Sequence, residues 1–148
     1  MPKKQPRSPS PTDAVMDESD YRNLALFRKA LRGFLAFSEQ AARNAGLTPQ
    51  QHQAVLIIRG FGSEQGVTVG DLASHLLLKP QTAVGLVDRL VEANLVARVP
   101  DMDDRRRVLL KLTAKAGKIV KKLSADHLSE IRSDAPQLIN LLQNLSVE

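Results

Sequence analysis

The sequence contains no cysteine and no tryptophan, and aromatic residues make up only 3% of its 148 residues. Without cysteine there is no disulfide, no thiolate metal site and no cysteine redox sensor. No apolar run approaches the roughly 20 residues that span a bilayer, so no membrane segment is expected. The N-terminal stretch lacks the apolar region of a signal peptide, which makes the cytoplasm the expected location.

Patterns typical of enzymes are also lacking. The sequence shows no phosphate-binding loop and no Ser/His/Asp arrangement, so we predict no catalytic residue, no cofactor and no enzymatic activity. Its three histidines, His52, His75 and His127, fall on three different predicted helices without an i, i+4 pair. This spacing argues against a metal site.

The sequence is basic overall, with a net charge of +5 and a pI of about 9.8. Such a charge suits a polyanionic partner. The basic residues are spread along the chain and form no polybasic tract. If the protein binds nucleic acid, it must therefore do so through individually placed side chains.

Composition divides the chain into an arm and one domain. Residues 1–19 are rich in proline, serine and charge and are expected to form a disordered arm. Lys3, Lys4 and Arg7 of this arm are candidates for contacts along a phosphate backbone. Residues 20–148 are predicted to form a single domain.

The N-terminal half of this domain reads as helical. Apolar residues recur at three- and four-residue spacing from about residue 20 to residue 45, and Gly46 is a typical stop. Thr48 begins a second helix and Thr68 a short third one, each with a capping-box pattern. The sharp connection LLKP then leads to a fourth helix.

The C-terminal half adds a hairpin and further helices. The short runs LVARV and VLLKL are predicted to pair as strands around a polar loop. Thr113 caps a long helix, and Asp134 caps a separate last helix. The predicted fold is therefore mainly α, a winged helix-turn-helix flanked by long N-terminal and C-terminal helices.

The fourth helix, PQTAVGLVDRLVEAN, has the composition of a recognition helix. With Val87 at the centre of its buried face, Val84 and Val91 point inwards and Leu86 lies at the edge of the outer face. Short polar side chains near the start of the outer face suit a helix that enters the major groove. The predicted DNA contacts are Thr68, Lys79, Gln81, Thr82, Gly85, Leu86 and Arg89.

These residue types suggest different roles. Gln81 can pair with adenine, while Thr82 and Leu86 can touch a thymine methyl. Gly85 would allow close approach of the backbone to DNA, and Arg89 is better placed for a phosphate. Lys79 is a poor N-cap residue, which favours a phosphate contact beside the positive end of the helix dipole.

The hairpin loop DMDDRRR combines three acids with three arginines. Negative potential in the minor groove attracts arginine, and a neighbouring carboxylate can hold an arginine in a ready geometry. We expect Asp104 to orient Arg106, and either Arg105 or Arg107 to reach phosphate or groove.

The stretch from Thr68 to Gly117 resembles the winged helix-turn-helix of the multiple-antibiotic-resistance regulator (MarR) family, through LVDRLVEANLV before the wing and DDRRRVLLKLTAKAG after it. The resemblance implies a homodimer held by the first, fifth and sixth helices, with residues 20–47 and 114–148 as dimerisation helices. It implies that residues 48–113 form the DNA-binding lobe, which reads half of a pseudo-palindromic operator in double-stranded DNA. Many such proteins are nucleoid-associated repressors released by small ligands, often aromatic acids. The family often has Ser-Pro where this chain has Lys79-Pro80.

A small aromatic effector, phenolic or carboxylate, would need an apolar pocket with a few polar groups. Phe34, Phe37 and His52 are the candidate pocket residues, and the two phenylalanines are equally compatible with a dimer core. The competing function is a winged helix used only for docking another protein. Arginines in the hairpin loop and Gln81-Thr82 at the helix start favour DNA instead.

Overall fold

The computed structural model describes residues 15–145, which form five helices and one two-stranded antiparallel sheet. The predicted mainly α, winged helix-turn-helix architecture is confirmed. In chain order the elements are α1 (Glu18–Asn44), α2 (Pro49–Phe61), α3 (Val69–Leu76), α4 (Pro80–Glu92), β1 (Val96–Pro100), β2 (Val108–Leu112) and α5 (Ala114–Leu145).

The starts of α2 and α3 are set by the capping boxes that the sequence predicts. At α2, the Thr48 side chain accepts a hydrogen bond from the Gln51 N–H, and the Gln51 side chain accepts one from the Thr48 N–H. Thr68 and Asp71 make the same reciprocal pair at α3. Each box satisfies two donors that a helix start would otherwise leave unpaired.

α1 begins earlier than predicted, inside the stretch assigned to the arm. Asp17 is its N-cap and accepts hydrogen bonds from the N–H groups of Ser19 and Asp20, while the Asp20 carboxylate accepts one from the Asp17 N–H. Hydrogen bonds from the Ser19 hydroxyl and the Asp20 N–H lower the pKa of Asp17. The arm prediction for residues 1–14, with Lys3, Lys4 and Arg7, lies outside the described residues.

The prediction of two C-terminal helices is wrong, because α5 runs unbroken through the described residues to Leu145. Pro136 lies inside it. A proline removes one backbone hydrogen bond and often ends or kinks a helix, which is why Asp134 looked like a fresh start. Ile131 before Pro136, and Leu138 and Leu141 after it, line one groove together with α1 residues, so α5 keeps the same face towards α1 across the proline.

The hairpin pairs Val96 with Leu112 at its base and Pro100 with Val108 near its tip. It is attached to the helices by the Leu110 N–H, which donates to the carbonyl of Val67 just before α3. Leu110 and Val96 are buried, whereas the strand ends near the tip are exposed. The wing is therefore anchored at its base and open to solvent at its tip.

The hydrophobic core lies among α2, α3, α4, the base of the hairpin and the first half of α5. Its largest fully buried side chains are Leu72, Leu86, Leu90, Leu95, Leu110, Val55, Val67, Val87 and Val120. The outer halves of α1 and α5 instead expose large apolar side chains, among them Leu24, Leu31, Leu35, Leu128, Ile131 and Ile139. An apolar surface of this extent on two adjacent helices needs a partner.

The turn between α3 and α4 contains an unfavourable residue. Leu77 caps α3 in the left-handed conformation, with φ 55° and ψ 40°, and its side chain is 93% exposed. Glycine or asparagine usually occupies this position, because a β-carbon clashes there with the following carbonyl. The exposed Leu77 side chain makes no buried contact that would offset this strain.

We predict that Leu77→Gly raises the free energy of unfolding by about 0.5–1 kcal/mol, because it removes the strain of the β-carbon and sacrifices no buried contact. Urea unfolding followed by circular dichroism measures the change. Leu77→Ala is the matched control: it shortens the side chain but keeps the β-carbon, and should not stabilise. Equal stabilisation by both variants would contradict the strain explanation.

Candidate nucleic-acid interface

The start of α4 is exposed and polar. Lys79 occupies its N-cap position with extended backbone and makes no capping hydrogen bond through its side chain, and Pro80 follows at the first turn. Gln81 and Thr82 are exposed on that turn. These side chains are presented to solvent together with the unpaired N–H groups at the start of the helix, an arrangement that attracts anions.

The buried face of α4 is rotated from the predicted one. Leu86 is 1% exposed and belongs to the core, so its prediction as a DNA contact is wrong. Val84, predicted to be buried, is 45% exposed, and Val91 is also exposed. Apolar residues cover more than half of this helix, so its pattern allows two buried faces. The structure buries the larger leucine and leaves two valines outside.

Gly85 and Arg89 lie one turn apart on the outer side of α4. A β-carbon built on Gly85 would lie 3.6 Å from Nη1 of Arg89, an ordinary van der Waals distance. The Arg89 side chain therefore folds back over Gly85, towards the start of the helix. This orientation carries its positive charge to the turn that also holds Gln81 and Thr82.

At the wing tip, Arg106 is tied to Asp104. The Arg106 main-chain N–H and its Nε both donate to Oδ1 of Asp104, over 3.1 and 3.2 Å. The Arg106 side chain is nevertheless 92% exposed. The terminal nitrogens of its guanidinium group therefore remain accessible to solvent.

At the base of the tip, Arg107 is held by a different acid. Its Nη1 lies 3.3 Å from Oδ2 of Asp101, which is only 8% exposed and also accepts the N–H of Asp103. The Asp101 N–H donates to the Arg107 carbonyl, which closes the loop. Arg107 is therefore part of the loop scaffold, whereas Arg105 is exposed beside Arg106. The sequence analysis did not separate Asp101 from its acidic neighbours.

Thr68 and Asp71, at the start of α3, connect this helix to the wing. The Thr68 N–H is the main cause that lowers the pKa of Asp71, and Arg107 contributes a smaller electrostatic effect. The Thr68 hydroxyl oxygen accepts the Asp71 N–H, so its hydrogen can still be donated outwards. Thr68 and Arg107 thus both act on the Asp71 carboxylate.

Two sets of contacts fix α4, one on its side and one at its C-terminal end. Arg98 on β1 forms an ion pair with Asp88 on α4. At the C-terminal end, Lys115 donates to the Ala93 carbonyl over 3.2 Å. Thr113 donates its hydroxyl to the Asn94 carbonyl over 2.8 Å and its N–H to the carbonyl of the next residue. Both depend on separations of ten residues or more, which local patterns do not reveal.

The predicted pocket residues come together, but around another side chain. The ring of His127 fills the space between them, with its centroid 5.9 Å from Phe34, 5.2 Å from Phe37 and 4.8 Å from His52. Burial, and to a smaller extent the nearby His127, lower the pKa of His52. Beyond Phe37, a groove of about 700 Å³ runs between α1 and α5, with Lys118 and Lys122 among its lining residues.

His75, the third histidine, stacks on Phe61 with ring centroids 4.5 Å apart. Within residues 15–145, no group of three or more histidine or acidic side chains is arranged to hold a metal ion. In the same range, no helix is long and apolar enough to cross a bilayer.

Comparison of the sequence with known proteins gives consistent matches. A sequence model described as the MarR family matches residues 45–107. The uncharacterised HTH-type transcriptional regulator YcgE of Bacillus subtilis strain 168 is 35% identical over 98 residues, which cover 66% of this chain and 62% of YcgE. The match therefore spans less than two thirds of that relative.

Solved structures match over more of the chain. MepR, a transcription regulator of the Staphylococcus aureus multidrug efflux pump MepA, superimposes with a TM-score of 0.71 at 21% identity, over 88% of this chain and 98% of MepR. A MepR variant has been solved bound to an oligodeoxyribonucleotide. CouR from Rhodococcus jostii RHA1, solved bound to p-coumaroyl-CoA, gives a TM-score of 0.67 at 22% identity, over 87% and 95% of the two chains.

Proposed function

Because this chain belongs to the MarR family of winged helix-turn-helix transcriptional regulators, we propose that it represses transcription as a homodimer on a pseudo-palindromic operator. In this proposal a small aromatic phenol or carboxylate releases the repressor from double-stranded DNA. The protein would then act in the cytoplasm, on the nucleoid.

The observation that carries the proposal is the common exposure of the α4 start and the wing tip. Gln81 and Thr82 present short polar groups that can read base edges in a major groove. Lys79 and Arg89 add positive charge at the same turn, where phosphates are the natural partners. Leu86 is excluded from the reading surface by its burial.

The wing would supply the minor-groove contact. Arg106 is the best candidate, because Asp104 restrains the guanidinium group at Nε while its outer nitrogens remain exposed. Restraint before binding reduces the entropy that a flexible arginine would lose. Arg105 is placed for a neighbouring phosphate, and Arg107 supports the loop through Asp101.

The apolar surface on α1 and α5 supports the homodimer. A groove of about 440 Å³ between these helices is lined mainly by apolar side chains, including Leu26, Leu31 and Ile131. Pairing with a second copy would bury this surface on both chains at once, because a two-fold symmetric interface uses the same patch on each chain. Symmetric pairing would also place two copies of α4 for the two halves of an operator.

For the effector, the groove beside Phe37 is a better site than the space already filled by His127. It combines the apolar Ile119 and Leu123 with Lys118, a cation that can pair with a carboxylate. CouR is a fold relative that was solved with an aromatic acyl-CoA. An aromatic acid in this groove would push apart α1 and α5, the two helices of the proposed dimer.

Two DNA variants should behave differently. Thr82→Ala is expected to lower the ratio of specific to non-specific affinity by about fivefold or more while leaving the salt dependence unchanged. Arg106→Ala should weaken binding to most sequences by about tenfold and reduce the salt slope by about one. Fluorescence anisotropy on a selected operator and on random DNA, across a salt series, measures both.

Two controls complete the DNA experiment. Asp104→Ala should produce a milder form of the Arg106→Ala defect, since the arginine stays but loses its restraint. Arg132→Ala, which removes the same charge far along α5, should bind like wild type. If Thr82→Ala and Arg106→Ala both bind operator like wild type, the assigned DNA surface is wrong.

For the homodimer, Ile131→Glu should produce monomers, because it places a charge in the apolar groove between α1 and α5. Size-exclusion chromatography with light scattering gives the mass. Leu56→Glu is the matched control, since Leu56 is also an exposed, large apolar residue but lies on α2. A wild-type monomer, or a dimer that tolerates Ile131→Glu, would refute this interface.

For the effector, aromatic carboxylates should raise the melting temperature of the protein and weaken its binding to operator. A thermal-shift screen followed by anisotropy measures both effects. Lys118→Met keeps the length of the side chain but removes its charge, so it should reduce the response to carboxylates more than the response to neutral phenols. The pocket is wrong if no aromatic compound shifts melting or DNA binding.

A further inference from the structure

His52 and His127 form a buried pair at the point where α2 meets α1 and α5. Their ring centroids are 4.8 Å apart, and the two side chains are 3% and 8% exposed as residues. His52 belongs to α2, in the predicted DNA-binding lobe, and His127 to the long helix α5. Phe34 and Phe37 of α1 pack edge-on against the His127 ring and close the site from the third side.

Both ring nitrogens of His127 have hydrogen-bond partners. Its Nδ1 lies 2.6 Å from the Leu123 carbonyl oxygen, which can only accept, so Nδ1 carries a hydrogen. Its Nε2 lies 2.8 Å from the Ser38 hydroxyl, which donates to it.

His52 is different, because its Nε2 is buried and has no hydrogen-bond partner within the described residues. A buried polar atom of this kind is uncommon and costs free energy. If Nε2 gains a hydrogen and a charge, the new donor finds no acceptor inside the protein and lies against a second imidazole. Water can reach it only if α2 separates from α1 and α5.

Other charged groups around the pair are engaged elsewhere. On α1, Glu39 forms an ion pair with Arg43. On α5, Asp126 forms one with Lys122, and Glu130 lines the outer groove. On α3, Asp71 is bound to Thr68 and His75 packs against Phe61, and Lys111 on β2 is exposed. Within the described chain, His127 is the titratable group that acts on His52.

We propose that the buried His52–His127 pair is a proton-operated switch, in which protonation of His52 loosens α2 from α1 and α5 and thereby weakens DNA binding. This inference rests on the proposed function, since the lobe must be held in one orientation to place α4 on DNA. The proton is the ligand of the site, because in the protonated ring both nitrogens carry a hydrogen and the buried Nε2–H has no acceptor.

The direction of the pH effect follows from burial. Burial first, and His127 second, hold the pKa of His52 below its ordinary 6.5 in the folded protein. The opened state, with a pKa near the ordinary value, therefore binds more protons as the pH falls below 6.5. The closed junction is fully stable above that pH and loses stability as the pH approaches the lowered pKa.

This direction is opposite to that of bulk electrostatics. Protonating the three histidines adds positive charge to a chain that already carries +5, which should tighten binding to a polyanion. The switch predicts weaker binding under the same conditions. The sign of the pH dependence therefore separates the two mechanisms.

The experiment measures anisotropy of labelled DNA between about pH 7.5 and about pH 5.5 at constant ionic strength. Wild type should lose affinity over this range by at most about tenfold, which is the limit for one coupled proton whose pKa in the opened state is near the ordinary value. His52→Gln, which cannot be charged, should show a flat profile or bind more tightly in acid. His75→Gln is the matched control and should keep the wild-type loss.

Each remaining outcome decides the question. Unchanged or tighter binding by wild type in acid overturns the switch, and so does an equal loss in His52→Gln. If His52→Gln fails to fold, His52→Phe replaces it, and an NMR titration of the wild-type His52 ring must coincide with the loss of binding.

If wild type binds no DNA at about pH 7.5, the proposed function fails. In that case hydrogen exchange of α2 amides tests the switch alone: their protection, relative to the intrinsic exchange rate at each pH, must fall in acid in wild type but not in His52→Gln.

Discussion

Three carbonyl groups at and just after the end of α4 tie this helix to α5. Those of Ala93, Asn94 and Leu95 accept hydrogen bonds from Lys115 and from the hydroxyl and N–H of Thr113, at the start of α5. Of these, only the carbonyl of Ala93, the C-cap, is one that a helix end leaves unpaired, and the other two belong to the link to β1. The hairpin begins and ends beside these same residues. Movement of α5 must therefore carry α4 and the wing with it.

A second junction joins the lobe to the rest of the chain, and its chemistry is different. Where α4 and α5 meet, every polar group named above has a partner. Where α2 meets α1 and α5, the contact is made of aromatic rings with one unsatisfied nitrogen, on His52. Satisfied networks are rigid, whereas a buried polar group without a partner marks a place that can be opened at low cost. The lobe is thus held rigidly where α4 meets α5, and it can move where α2 meets α1 and α5.

The features that the sequence predicts well are local ones. Capping at Thr48 and Thr68, the hairpin and the exposed start of α4 depend on residues within three or four positions of each other. The burial of Leu86 depends on which face of α4 the core selects, and the apolar pattern of this helix is compatible with two choices. The continuity of α5 through Pro136 depends on packing against α1, which lies about one hundred residues away in the sequence.

The candidate site shows the same division. Residue type and spacing identify the wing arginines, but only the folded loop separates exposed Arg106 from Arg107, which is bound to buried Asp101. His127 could not be placed beside His52 from a pattern, because the two lie 75 positions apart in the sequence. Its position at the centre of the predicted pocket residues follows only from the packing of three helices.

The acids of the wing also bear on how such a protein would find its site. Each cation that meets a phosphate releases counterions, and this release supplies most of the affinity for arbitrary sequences. Asp101, Asp103 and Asp104 balance the three arginines, so the tip brings no net charge to a random stretch of DNA. A regulator with this wing would leave unrelated sequences quickly and would reach its target through many short encounters.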